Sequence, residues 1–145
     1  MEVYSIGFTQ KTAEQFFGLL KNAGIRRVLD VRLNNSSQLA GFTKKEDLPF
    51  FLNEICNAEY VHEPLLAPTS EILTGYKKRK GDWTTYESAF NQLLETRAVQ
   101  TVLSTSLFER PTALLCSEPT AEHCHRRLVL EYLQKQWGGL EIHHL

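Results

Sequence analysis

At 145 residues, 42% hydrophobic and 23% charged, the chain has the size and balance of one globular domain that buries a continuous core without disulfide or metal staples. A formal charge of −1 gives no global attraction to nucleic acid or anionic membrane, and no apolar run reaches the roughly 20 residues of a membrane span. Free thiols at Cys56, Cys116 and Cys124, and an N-terminus without a basic stretch leading into an apolar one, point to a cytoplasmic protein with no membrane partner.

Glu2 to Ile6 reads as a short strand that Gly7 ends. Thr12-Ala13-Glu14-Gln15 has the form of a capping box, and Phe16, Leu19, Leu20 and Ala23 continue at helical spacing to a stop at Gly24. Arg27 to Val31 is a buried strand with Asp30 near its carboxyl end, and Asn34 to Ser37 is a loop. Asp47 is placed to cap a helix with Pro49 in its first turn and Leu48, Phe51, Leu52 and Ile55 inward. A third strand covers Glu59 to His62, ended by Pro64.

The stretch from Glu63 to Gly81 is the least regular, with a basic cluster at Lys77 to Lys80 and room for one short helix over Ser70 to Lys78. Asp82 or Thr84 caps a helix to about Arg97 with Tyr86, Ala89, Phe90, Leu93 and Leu94 inward, and a shorter helical piece covers Val99 to Leu103. The fourth strand is Thr112 to Cys116, the last helix runs from about Pro119 to Trp137, and Leu140 to His143 is the final strand. This alternation specifies an α/β fold over residues 1–145: a single three-layer domain with a mostly parallel sheet of about five strands flanked by helices. Ligands in such sheets bind beyond the carboxyl ends of the strands, so Gly7 to Gln10, Asp30 to Arg32, His62 and Cys116 to Glu118 are expected to converge at one edge.

Chemistry concentrates between the fourth strand and the last helix, in Cys116-Ser117-Glu118-Pro119-Thr120-Ala121-Glu122-His123-Cys124-His125-Arg126-Arg127. At about 100° per residue, Cys124, His125 and Arg126 fall within or beside the apolar arc of Leu128, Val129, Tyr132 and Leu133, while His123 and Arg127 face away. A helix N-terminus beside Cys116 favours an anion or a thiolate. In one reading Cys116 is a nucleophile, with His125, Arg126, Glu118 and Asp30 lowering its pKa or moving protons. The acids Glu118 and Glu122 argue against a phosphatase, because they repel a phosphate dianion.

In a second reading Cys116, Cys124 and His125 bind zinc, against a non-standard spacing and the divergence of adjacent residues on a helix. In a third, Arg32, Arg126 and the lysine-rich cluster hold phosphates while Trp83 or Tyr86 stacks on a base. The same residues also suit plain packing: buried cysteines, an Asp30–Arg32–Arg126 ion pair, core aromatics at Trp83 and Tyr86, a solvated basic face, and a buried Cys56.

Tyr-Ser-Ile-Gly at the start, Val-Leu-Asp-Val-Arg at 28 to 32, Asp-Trp-Thr-Thr-Tyr at 82 to 86, and Ala-Leu-Leu-Cys-Ser-Glu followed by Cys-His-Arg-Arg occur in the order of a known family. The chain resembles the bacterial and archaeal proteins grouped as domain of unknown function 488 (DUF488). The resemblance implies a compact α/β domain and a site at Asp30, Arg32, Cys116, Glu118, Cys124, His125 and Arg126, without an established general activity. The chain departs from the pattern at Phe8 and Thr9, where the family commonly has histidine and serine, at Gln38, and at Leu66-Ala67-Pro68 in place of a glycine-rich turn.

Together these features lead to an enzyme acting on a phosphate-bearing small molecule or nucleic acid. Its expected catalytic residues are Cys116, Glu118, His125 and Asp30, and its expected substrate-binding residues are Arg32, Arg126, Thr9, Trp83 and Tyr86. No cofactor is expected, with zinc on Cys116, Cys124 and His125 as the alternative. The same residues are also compatible with a nucleic-acid or nucleotide binding module without chemistry, and with a thiol-based metal or redox sensor.

Overall fold

The computed structural model describes residues 1–36, 40–77 and 81–145. Five strands, β1 (Glu2–Gly7), β2 (Arg27–Asp30), β3 (Glu59–His62), β4 (Thr112–Cys116) and β5 (Glu141–His144), form one parallel sheet in the order β3-β2-β4-β1-β5. β4 comes late in the chain yet inserts between β1 and β2, so the strand ends at Gly7 and Asp30 flank the end at Cys116. All five residues of β4 are buried, as a strand covered on both faces requires. With every strand parallel, the four segments expected to converge do share one edge, and His62 Nε2 lies 3.1 Å from the Arg32 carbonyl there.

The pleat sorts side chains between two cores. Val3, Leu29, Leu114 and Cys116 point to the face covered by α4 (Trp83–Arg97) and α6 (His125–Trp137). Ile6, Val28, Ala113 and Leu115 point to the opposite face, against α1 (Ala13–Asn22) and α2 (Leu48–Phe51). The α1 start carries the expected capping box, with Thr12 Oγ1 accepting from the Gln15 amide and the Gln15 side chain accepting from the Thr12 amide. Asp82 caps α4 by accepting from the Thr85 amide at 2.7 Å. The irregular stretch holds α3 (Ser70–Lys77), and α5 (Val99–Val102) precedes β4. Among the described residues no helix is long and apolar enough to cross a membrane. Ser37, Gln38, Lys78, Arg79 and Lys80 lie outside the described residues.

Two helices differ from expectation. Asp47 makes no capping bond to α2, and the helix passes into a π-turn over Leu52–Cys56. The wider turn delays the inward face by one residue, so Leu48, Leu52 and Cys56 are buried while Ile55 is 40% exposed. α6 begins at His125 rather than near Pro119. Arg126 Nη1 donates to the Glu118 carbonyl, and Arg127 Nε donates to the carbonyls of Ala121 and Glu122. Side chains thereby occupy acceptors that an earlier helix start would give to backbone amides.

Gly7 sits where this loop crosses the end of β1. A Cβ there would lie 1.6 Å from the Glu118 carbonyl oxygen and 2.9 Å from Arg126 Nη1, whereas a Cβ at Gly18 in α1 meets nothing within 4 Å. Gly7→Ala is therefore expected to cost on the order of 3 kcal/mol or more by denaturant unfolding. Gly18→Ala should be neutral or gain up to about 1 kcal/mol. Equal effects of the two would show that the loop does not rest on β1.

Candidate functional site

The loop Ser117–Cys124 is held from beneath by β1 and from behind by α6. The Thr9 amide donates to the Ser117 carbonyl at 3.0 Å, Lys11 Nζ to the Pro119 carbonyl at 3.4 Å, and Arg126 Nη1 to the Glu118 carbonyl at 2.8 Å. Arg126 is fully buried, and its Nε donates to Ser5 Oγ at 3.0 Å. Ser5 Oγ in turn lies 2.6 Å from His144 Nδ1 on β5. Arg126 Nη2 has no partner among the described residues. Arg126 lies behind the cavity wall rather than in it, so its reach to a substrate runs through the loop carbonyl it holds.

Cys116 ends β4 with its side chain toward α6, and His125 is the first residue of that helix. Cys116 Sγ lies 3.4 Å from His125 Nδ1, and His125 Nε2 donates to the Val31 carbonyl at 2.6 Å. That bond assigns the proton to Nε2 and leaves Nδ1 toward the sulfur. Cys124 precedes the helix in extended conformation (φ −139°, ψ 139°), so it is not one helical step from His125. The donor atoms of Cys116, Cys124 and His125 all lie within 4.8 Å of one another, and all three residues are buried.

Burial pushes the Cys116 thiol up, but a hydrogen bond from Cys124, the Arg126 charge and the backbone amides of Ser117 and Glu118 outweigh it and bring the group below the ordinary thiol value. Cys124 is pushed well up by burial and by its neighbour Cys116. Cys56 lies in the opposite core, where burial raises its thiol.

Cys116, Cys124 and His125 floor a cavity of about 320 Å³ whose wall carries Tyr76, Trp83 and Tyr86 and whose rim carries Thr9, Lys77 and Glu118. The Glu118 carboxylate pairs with Lys77. Trp83 and Tyr86 already have ring partners: His123 and Tyr86 stack on Trp83, each with centroids 5.0 Å away, and Tyr86 stacks on Phe90 at 6.1 Å. Packed together, these rings form one aromatic wall of the cavity.

Asp30 and Arg32 form a separate network. Asp30 pairs in register with Leu115, not Cys116, so its side chain points to the α1 face, away from His125 and Arg126. Arg32 donates from Nε and Nη2 to the two Asp30 oxygens at 2.9 Å each, and Nη2 also donates to the Thr43 carbonyl at 2.6 Å. Tyr60 Oη donates to Asp30 Oδ2 at 2.5 Å and accepts from Asn35. The Arg32 guanidinium lies over the Phe8 ring, 5.4 Å from its centroid. Among the described residues Arg126 forms no ion pair, and Asp30, fully buried, does not line the cavity; Arg32 does line it, with its charge already engaged.

The model of the family described as domain of unknown function DUF488 matches residues 12–133, which include Asp30, Arg32 and the whole stretch from Cys116 to Arg126. The chain belongs to the DUF488 family. No curated protein and no solved structure matches it. In this DUF488 chain, Ser5, Lys77, His123 and Tyr60 also shape the edge; Ser5 lies in the first family motif and Lys77 in the basic cluster, while nothing local in the sequence marks His123 or Tyr60. Gly7 carried a signal, a glycine ending a strand, but its reason is the loop above it.

Arg32→Lys keeps the charge and loses the two-point bridge, and should cost roughly 2–4 kcal/mol of unfolding free energy. Tyr60→Phe, which removes one of several donors to Asp30, should cost about 1 kcal/mol. A stability of Arg32→Lys equal to wild type would mean that the bridge does not hold this edge.

Proposed function

We propose that this DUF488 protein is an enzyme acting on a small phosphate-bearing molecule, a nucleotide being the leading class, with its chemistry centred on Cys116. The observation that carries the reading is the placement of a buried thiol, a second thiol and an oriented imidazole on the floor of a cavity beyond the carboxyl ends of a parallel sheet. Structural cysteines need no cavity above them, and a packing histidine needs no free nitrogen directed at a sulfur.

A cavity of about 320 Å³ is at the small end of small-molecule sites, which favours one nucleotide over a bound strand. A nucleic acid would have to offer a single everted nucleotide. Among the described residues Lys77 at the rim is the cation best placed for a phosphate, since Arg32 is held by Asp30 and Thr43. Taking the phosphate would release Glu118 from Lys77 and leave a carboxylate at the rim to accept or return a proton. His125 keeps its Nε2 proton on the Val31 carbonyl and turns Nδ1 to Cys116, and Arg126 positions the loop.

Turnover of a panel of nucleosides and nucleotides tests this. Cys116→Ala should lower turnover on the order of 10³-fold or more with ligand affinity retained. Lys77→Ala should weaken phosphate-bearing ligands about tenfold and leave nucleosides unchanged. Full turnover in Cys116→Ala would remove Cys116 from the chemistry, and binding without turnover across the panel would make the protein a binding module.

A further inference from the structure

We propose that Cys116, Cys124 and His125 hold a zinc ion through Sγ, Sγ and Nδ1, with its fourth position open to the cavity. The proposal deepens the reading of this floor as the reactive centre, and rests on it for the ion's use but not for its binding. Zinc bonds of about 2.3 Å to sulfur and about 2.0–2.1 Å to nitrogen, at a tetrahedral angle, separate a sulfur from a nitrogen by about 3.6 Å and two sulfurs by about 3.8 Å. Cys116 Sγ and His125 Nδ1 are 3.4 Å apart, and no pair among the three donor atoms exceeds 4.8 Å. The donors already stand near coordination spacing, and an ion needs only a small adjustment of them.

The adjacency of Cys124 and His125 forbids a shared ion only if both lie on a regular helix. They do not. Cys124 is extended and His125 opens α6, so both side chains reach Cys116 from one corner of the chain. The rest of the site fits a metal as well. His125 donates its other ring nitrogen to the Val31 carbonyl at 2.6 Å, the outer bond that fixes a ligating imidazole in the required tautomer. Two thiolates balance a doubly charged ion, so the buried floor gains no net charge when zinc replaces the thiol protons.

Two sulfurs and an imidazole select zinc over magnesium or calcium, which prefer oxygen. No fourth histidine, cysteine or carboxylate joins the group among the described residues. Three protein ligands and an opening toward a cavity are the pattern of zinc that binds water or substrate, rather than of a closed structural site. Cys56, in the other core, supplies an internal control.

Elemental analysis of the full chain, purified without chelator or a metal-affinity step, should find about one zinc per chain. Cobalt added to the chelator-stripped protein should give the visible bands of a tetrahedral site and the near-ultraviolet bands of thiolate coordination. Cys124→Ser and His125→Gln should lose most of the metal, and Cys56→Ser should keep it. Circular dichroism establishes that each variant is folded, and the cobalt spectrum of the unaltered chain stands even where a variant is not.

A folded wild-type chain with less than about a tenth of an equivalent of zinc and no thiolate–cobalt bands would overturn the site. Iron or copper on the same donors would overturn the assignment to zinc. The two proposals fail separately. Loss of turnover in Cys116→Ala without bound metal refutes the zinc site and leaves Cys116 as a nucleophile. Stoichiometric zinc without turnover on any phosphate-bearing compound supports the site and refutes the proposed function.

Discussion

The buried guanidinium of Arg126 constrains the Cys116 side of the carboxyl edge of the sheet. A cation removed from water is tolerated only where hydrogen bonds and nearby negative charge replace its hydration. Arg126 finds the Ser5 hydroxyl on β1 and the Glu118 carbonyl in the loop after β4, and its charge also favours the thiolate form of Cys116. One side chain thus ties together α6, β1 and the loop. The loop can lie so low only because residue 7 is glycine, with the Glu118 carbonyl where a Cβ would stand. That same carbonyl is withheld from the backbone of α6, which starts later and leaves Cys124 extended beside Cys116.

Sheet topology supplies the remaining constraint. The insertion of β4 between β1 and β2 brings Cys116 to the middle of the edge, next to Gly7, with Asp30 one strand away on the other side. The pleat then divides the charged groups. Cys116, His125 and Arg126 occupy the side of α4 and α6, while Asp30 and Thr43 bind Arg32, and Tyr60 binds Asp30, on the side of α1 and α2. Of the first group, Cys116 and His125 form the cavity floor, with Arg126 behind it. The second braces the segment after β2, and where the family commonly has histidine, Phe8 packs its ring against Arg32.

Features governed by local rules were legible in the sequence. The alternation of strands and helices, the Thr12–Gln15 capping box, the Asp82 cap and the inward Tyr86, Phe90 and Leu94 all follow from neighbours a few residues apart. Features governed by register or by distant partners were not. Asp30 and Cys116 both end strands, and only the pairing of Asp30 with Leu115 shows that they face opposite ways. Pro119-Thr120-Ala121-Glu122 reads as a helix start until Arg127 takes the Ala121 and Glu122 carbonyls and Arg126 the Glu118 carbonyl just before it. Trp83 looks unpartnered until His123, brought from another part of the chain, stacks on it.

The thiol–imidazole floor owes its arrangement to the clamp behind it and opens on the cavity above it. A crystal structure of the protein with a bound nucleoside monophosphate tests this most directly. The ligand is expected inside the cavity, its phosphate at Lys77 and its reacting group over Cys116 and His125, with Arg126 still on the Glu118 carbonyl. A nucleotide seated elsewhere on the surface, or a loop released from Arg126 with Cys116 turned into the core, would contradict it.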